Sequence, residues 1–324
     1  GLLDDRAGRA GLADLELVHG VDEQLRLAGE DACQLGVRLG GRALPVPTDV
    51  ADAAQVEAAA AAIERELGPI DVWINNAMTS VFAPLAEISS DEYARVTAVT
   101  YLGTVHGTMS ALRRMLPRDR GTIIQVGSAL AYRSIPLQSA YCGAKHAIRG
   151  FTDSLRSELL HDRRHIHLTM VQMPALNTPQ FAWVRSRLAH AAQPVPPIFQ
   201  PEVAARAIVW SATHRRRELA VGLSAVEAIV GNKLIPGLLD RYLARHGYDG
   251  QQTDEPADPE RPDNLFAPVA GLEFGAHGRF DRRARRHCPE LWISTHRGSL
   301  ALVLLLVLAA LAWALLAVRG SARL

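Results

Sequence analysis

Apolar residues fall in short dense runs separated by longer stretches where they recur every three or four positions. This alternation predicts strands interleaved with helices. The strand candidates are residues 15–18, 43–47, 70–74, 122–126, 166–171 and 219–221, with Pro45 placing the second near a sheet edge. Helical spacing fills the gaps. One stretch runs to Leu39 and stops at Gly40-Gly41, and an alanine-rich stretch over 52–67 stops at Gly68-Pro69. Ser90 and Asp91 cap a long helix to Met115 that Pro117 ends, residues 139–160 follow, and Pro201 opens a helix to Thr213. Strands alternating with helices of this length predict βαβ units, hence an α/β fold with a doubly wound parallel sheet covered on both faces.

The pattern changes after residue 249. Residues 250–298 turn to Asp, Glu, Pro, Gly and Arg, too polar to bury a core, and are expected to form an irregular linker behind a domain over 1–249. Leu291-Trp292-Ile293 forms a short patch suited to a membrane interface. Residues 300–318 then contain nineteen positions with no charge and no proline, which at about 1.5 Å each span roughly 28 Å. The expectation is a transmembrane helix over 299–319 with a short tail, 320–324. Arg279, Arg282, Arg283, Arg285, Arg286 and Arg297 precede the span and only Arg319 and Arg323 follow it. That bias keeps residues 1–298 on the cytoplasmic side of a single-pass C-terminal anchor.

Composition narrows the class further. Hydrophobic residues make up 48% and charged residues 21% of 324, which excludes a disordered or fibrous chain. Lys+Arg total 35 against Asp+Glu 34, so there is no basic field to gather nucleic acid. Three separated cysteines, Cys33, Cys142 and Cys288, form no disulfide framework and fit a reducing compartment. His165 and His167 alternate near His161, but no carboxylate or cysteine completes a metal set, and a solvated strand start explains them.

The candidate chemistry is concentrated in Ser128, Tyr141 and Lys145. Ser128 ends a strand, the place where ligands bind in open α/β sheets, and Tyr141 and Lys145 lie one turn apart on the next helix. A tyrosine acting as acid or base near neutral pH must overcome a pKa of about 10, and a neighbouring ammonium lowers it. A serine hydroxyl can hold a carbonyl or alcohol oxygen in place.

These residues and their neighbours resemble the short-chain dehydrogenase/reductase family. Val126-Gly127-Ser128 and Tyr141-Cys142-Gly143-Ala144-Lys145 match its catalytic motifs, Asn75-Asn76-Ala77 its mid-domain turn, and Thr48-Asp49-Val50 the turn before that, in family order. The resemblance covers residues 15–239. It implies a Rossmann-type sheet, a nicotinamide cofactor, carbonyl–alcohol interconversion, and a dimer or tetramer formed through the two long helices. By that resemblance Tyr141 is the acid/base, Lys145 lowers its pKa and touches the ribose, and Ser128 positions the substrate oxygen. Asp49 and Val50 flank the adenine, Asn75 and Ala77 line the cofactor cleft, and Thr178 reaches the carboxamide. Phe181 and Trp183 fall in the family's substrate-covering loop, over an apolar pocket.

The departures matter as well. Met78 replaces a family glycine, Met173-Pro174 stands for a Pro-Gly pair, and Thr100 takes the place of an asparagine whose proton relay runs through water. The threonine hydroxyl can still bind a water but lacks the amide's two-sided geometry. Nothing in residues 1–14 matches the glycine-rich phosphate turn, so the chain is expected to be N-terminally incomplete, lacking the first strand and its loop. His19 stands where NAD users carry an acid, which favours NADP over NAD. Two functions remain in view: a membrane-anchored oxidoreductase acting on a lipophilic small molecule, and a non-catalytic scaffold of the same fold bound to a membrane partner. Loss of turnover in Tyr141→Phe separates them.

Overall fold

The computed structural model describes residues 40–269, 275–303 and 305–308. The strand and helix expected before Gly40, with His19 and the question of the phosphate turn, lie outside the described residues, as do residues 309–318 of the apolar run.

Asp52 starts α1 (Ala53–Leu67), its carboxylate accepting from the backbone N–H groups of Ala54 and Gln55, and Gly68, at φ 109°, ends it. Strand β1 (Val72–Asn75) follows. Ser89, one residue earlier than the sequence indicates, caps α2 (Ser90–Thr97) in a capping box with Glu92. The single long helix expected to Met115 is interrupted: a π-helical turn, Ala98–Leu102, separates α2 from α3 (Gly103–Met115). Strand β2 (Gly121–Ser128), helix α4 (Ser139–His161), strand β3 (Ile166–Met173), helix α5 (Pro201–Thr213) and strand β4 (Glu218–Ala220) complete the repeating pattern. A helical pair, α6 (Leu223–Leu234) and α7 (Pro236–His246), and a short α8 (Pro289–Thr295) come last.

The four strands pair in the order β1–β2–β3–β4, all parallel. Burial on both faces explains their nearly unbroken apolar runs. Adjacent residues of β2 show the division: Ile123 joins a cluster with Val56 and Ile63 of α1, Met115 of α3 and Leu155 of α4, whereas Ile124 joins Val203 and Ala207 of α5. The result is a three-layer α/β sandwich with the carboxyl ends of the strands at one edge. Residues 43–47 form no strand: Pro45 and Pro47 offer no N–H, and the carbonyl of Val46 is taken by the Thr48 hydroxyl at 2.9 Å.

The region expected to be an irregular linker is largely irregular, and its described residues are packed onto the domain. Gln252–Pro256 pairs antiparallel with His190–Ala192, Leu265 is buried with Val96 and Ala140, and Cys288 and Leu291 complete the cluster beneath α5. A few apolar residues suffice because backbone and polar side chains supply most of the contacts, which composition averages away. Of the interfacial patch, Leu291 is buried while Trp292 and Ile293 are exposed. Among the described residues no single helix is long and apolar enough to cross a membrane. Pro289–Thr295 and Arg297–Leu308 meet that length and composition only together, and they are bent by 75°.

Glu92 fixes the loop after β3 to the rest. Its carboxylate is buried, and accepts from Arg185 at 2.8 Å and Arg187 at 2.6 Å. Burial alone would raise its pKa, but the bonds from Arg187, the Ser89 backbone and Arg185 outweigh that and hold it at about 2. A depressed carboxylate contributes stability above its unfolded value of 4.5 that is lost as pH falls toward 2. Glu92→Gln is expected to cost about 3 kcal/mol in urea unfolding at neutral pH, because it leaves Arg187 without its anion and Arg185 with Asp263 alone, at 2.8 Å. It should also flatten the acid limb of the stability profile between those pH values; an unchanged acid limb would contradict the assignment.

Candidate active site

The parallel register of β2 and β3 sets Ser128 beside Met173 at the carboxyl edge of the sheet. There the chain leaves the strand in a single 3-10 turn, Ala129–Ala131, whose Leu130 N–H donates to the Ser128 hydroxyl at 3.1 Å. Helix α4 returns over the sheet, and its first turns bring Tyr141 close to Ser128. Lys145 follows one turn later with its Nζ 5.6 Å from the centre of the Tyr141 ring. The three side chains picked out by spacing therefore converge.

The electrostatics are set by burial. Lys145 is 3% exposed and donates to the carbonyl of Val126 at 2.7 Å. Removal from water lowers its pKa from the ordinary 10.5 to about 8. Burial pushes the Tyr141 hydroxyl above the usual tyrosine value, outweighing the opposing influence of the nearby Ser128 hydroxyl. In this arrangement the phenol is a neutral proton donor and the amine remains mostly charged at neutral pH.

Other expected residues have different surroundings. The Asn75 side chain is turned into the interior, where it accepts from Trp73 at 2.8 Å and donates to Thr108 at 3.0 Å and Gln125 at 2.9 Å. A Cβ on Gly107 would stand 2.2 Å from its oxygen, so glycine is needed there for α3 to approach β1. The Asn75 amide thus braces the sheet rather than lining a cleft. Asp49 accepts from Arg95 at 2.8 Å and from the Ala51 N–H at 3.0 Å, and the carbonyl of Val50 accepts from the His106 ring at 3.1 Å. Ala77 and Thr178 are part-buried on the connections that follow β1 and β3. The Thr100 hydroxyl is bonded to the backbone of Thr79. It donates to the carbonyl of Thr79 at 3.0 Å and accepts from the Thr79 N–H at 3.1 Å, clamping the turn after β1.

That turn carries two buried hydroxyls, Thr79 Oγ1 and Ser80 Oγ, with no partner among the described residues. Buried polar atoms are usually paired, so these two hydroxyls are exceptions at the carboxyl edge of the sheet. A positioning pair escaped the sequence: Tyr132, at the end of the turn after Ser128, donates to both Glu218 oxygens at 2.7 Å. Burial and that carboxylate push the Tyr132 pKa up to about 12. Nothing in one-dimensional spacing links residues so far apart. Among the described residues no group of three or more His, Cys, Asp or Glu could hold a metal ion, and His165 pairs with Asp119 at 2.6 Å.

The parallel sheet covered by helices on both faces defines a Rossmann-like α/β protein, with a hydroxyl, a phenol and an amine gathered at the carboxyl edge of the sheet. The short chain dehydrogenase family profile matches residues 12–188, and the chain belongs to this family of NAD(P)-dependent dehydrogenases and reductases. The uncharacterized oxidoreductase YxnA of Bacillus subtilis is 29% identical over 235 residues, 72% of this chain and 66% of that protein. Dehydrogenase/reductase SDR family member 7 of Homo sapiens is 40% identical over 116 residues, 36% of this chain and 34% of that one. The chain thus spans less than two thirds of these curated relatives. A short-chain dehydrogenase from Streptomyces avermitilis shares the fold with a TM-score of 0.56 at 21% identity, covering 74% of this chain and 90% of that one.

A lysine whose folded pKa is lowered leaves the unfolded chain holding more protons between about pH 8 and 10.5, so its contribution to stability rises with pH across that window. Lys145→Met should remove this rise, as read from the difference between urea-unfolding profiles of the two chains. Parallel profiles through the window would contradict the buried, single-partner environment.

Proposed function

We propose that the chain is an oxidoreductase that interconverts a hydrophobic ketone and its alcohol, with Ser128, Tyr141 and Lys145 as the acting side chains. What supports this is the placement of Ser128 at the carboxyl edge of the sheet with Tyr141 close to it, and of Lys145 one helical turn on, 5.6 Å from the Tyr141 ring and bonded to the Val126 carbonyl at 2.7 Å. When bound, the nicotinamide supplies or accepts the hydride at the substrate carbon. In the reductive direction the Ser128 hydroxyl donates to the carbonyl oxygen and holds it against Tyr141. Tyr141 then delivers its proton to that oxygen as negative charge develops there, and the Lys145 ammonium stabilises the phenolate left behind. A proton from solvent restores the phenol.

Asp49 and Val50 are assigned to the adenine end, Ala77 and Thr178 to the nicotinamide end, and Asn75 to bracing the strand between them. NADP is the preferred cofactor, since His19 stands where an acid would repel a phosphate. The substrate is lipophilic, and the apolar run at 300–318 anchors the chain with its catalytic domain on the cytoplasmic side. Its described residues, 300–303 and 305–308, include exposed leucines and valines.

Tyr141→Phe removes the proton donor and keeps the ring. Turnover, followed as NADPH oxidation with a ketone, should fall about a thousandfold while NADPH binding persists. Undiminished turnover would contradict the reading and favour a scaffold in which the trio is structural.

A further inference from the structure

Beyond the 12–188 stretch that matches the family, the surface carries a concentration of positive charge that the fold leaves without counter-charge. Residues 282–297 hold five arginines, Arg282, Arg283, Arg285, Arg286 and Arg297, and one carboxylate, Glu290. All five arginines are exposed, and among the described residues none has a carboxylate within ion-pair distance. Neighbouring carboxylates are engaged elsewhere. Glu255 pairs with Arg279 at 2.6 Å, Glu202 with His277 at 2.5 Å, and Asp281 accepts from Asn177 at 2.8 Å and Gln200 at 3.0 Å. The whole chain balances at +1, so opposite charges were available and this patch is a local accumulation. Crowded like charges repel, and an anionic partner relieves that repulsion.

The arginines are displayed from fixed backbone. Phe280 and Ala284 pack with Phe181 and Ile198, and Cys288 and Leu291 pack beneath α5. With these four residues drawn inward, the arginines between them face out. The Arg285 N–H donates to the Ile198 carbonyl and its own carbonyl accepts from Gln200, both at 2.9 Å. Arg206 of α5 donates to the Arg286 carbonyl at 3.0 Å, which brings a further cation to the patch. Arg283 reaches a neutral partner, the Gln193 amide oxygen, at 2.8 Å. Arg283 and Arg285 also border an open surface recess of about 430 Å³ with Pro196, Pro197 and Ile198.

The same stretch continues into exposed apolar residues. On α8, Trp292 is 55% and Ile293 53% exposed, and Leu300, Leu302, Val303 and residues 305–308 are exposed after them. A nucleic acid or an acidic protein would use the cations and gain nothing from these side chains. A bilayer with anionic headgroups uses both: phosphates pair with arginines, tryptophan sits at headgroup level, and aliphatic side chains enter the hydrocarbon.

We propose that Arg282, Arg283, Arg285 and Arg286 form a docking surface for an anionic phospholipid bilayer, with headgroup phosphates seated among the guanidinium groups and in the recess beside Pro196. The proposal goes beyond the anchor reading above. An apolar run holds the chain to a bilayer of any charge, whereas these arginines lay the domain itself against a negatively charged one.

The test uses the full natural protein reconstituted with phosphatidylcholine vesicles, with or without phosphatidylserine. Arginine side chains are labelled with phenylglyoxal and each site is followed by mass spectrometry. Phosphatidylserine should slow labelling of the four arginines about fivefold, the gain expected for one arginine at an anionic surface. Concentrated salt should abolish the protection. Arg65 of α1, on the opposite face of the sheet, should label equally in both vesicles. Equal labelling of the four arginines by protein bound to both vesicles would overturn the docking surface and leave the anchor reading standing. Protection by soluble RNA or polyphosphate that vesicles do not reproduce would overturn it in favour of a soluble polyanion. Protein that stays in solution with phosphatidylcholine, yet is protected on phosphatidylserine, would support the docking surface and remove the anchor reading. Binding to neither vesicle would overturn both.

Discussion

The hydrogen bond from Lys145 Nζ to the Val126 carbonyl joins α4 to the strand that ends in Ser128, and the arrangement of the site follows from it. A charged amine withdrawn from water is costly unless something accepts its protons. Here one backbone carbonyl does so, two residues before the serine. That bond fixes the rotation of α4 about its axis, because Lys145 must face the sheet. Tyr141, four residues earlier, must then face it too, and so reaches the end of the strand where Ser128 stands. The same burial leaves the phenol neutral and brings the amine down to about 8, still mostly charged at neutral pH, two opposed displacements of the kind found where function needs them.

Around this centre the fold spends several polar contacts on holding connections at the carboxyl edge. Thr100 clamps the turn after β1, Tyr132 and Glu218 fix the turn after β2, and Glu92 with Arg185 and Arg187 ties down the connection after β3. Each of these pairs joins a loop to a helix or strand that is rigid for independent reasons. A site built from three loops gains its precision from such ties, since loop backbone alone would not hold reacting groups to a fraction of an ångström.

What was legible in the sequence was what is local. The dense apolar run of β2 marks a strand buried on both faces, and the four-residue spacing of Tyr141 and Lys145 places both on one helical face whatever else the chain does. Contacts between distant segments were not legible. Asn75 reads as a cleft residue from its motif, yet Trp73, Thr108 and Gln125 draw its amide inward, and only the last of these neighbours on β2 reveals why. The π-helical turn at Ala98–Leu102 leaves no mark in hydrophobic periodicity over so few residues. Residues 250–298 look too polar to pack, but Leu265, Phe280 and Leu291 each fill a gap prepared by other segments, and the rest is carried by hydrogen bonds that composition does not count.

The central claim is that these groups support hydride transfer to a carbonyl carbon. It is tested most directly by incubating the full natural protein with NADPH carrying deuterium at both hydrogens of the reactive nicotinamide carbon, together with a long-chain ketone, and analysing the alcohol by mass spectrometry. The account predicts one deuterium on the carbinol carbon and an oxygen-bound hydrogen drawn from solvent. Alcohol without deuterium at that carbon, or no alcohol at all, would contradict it.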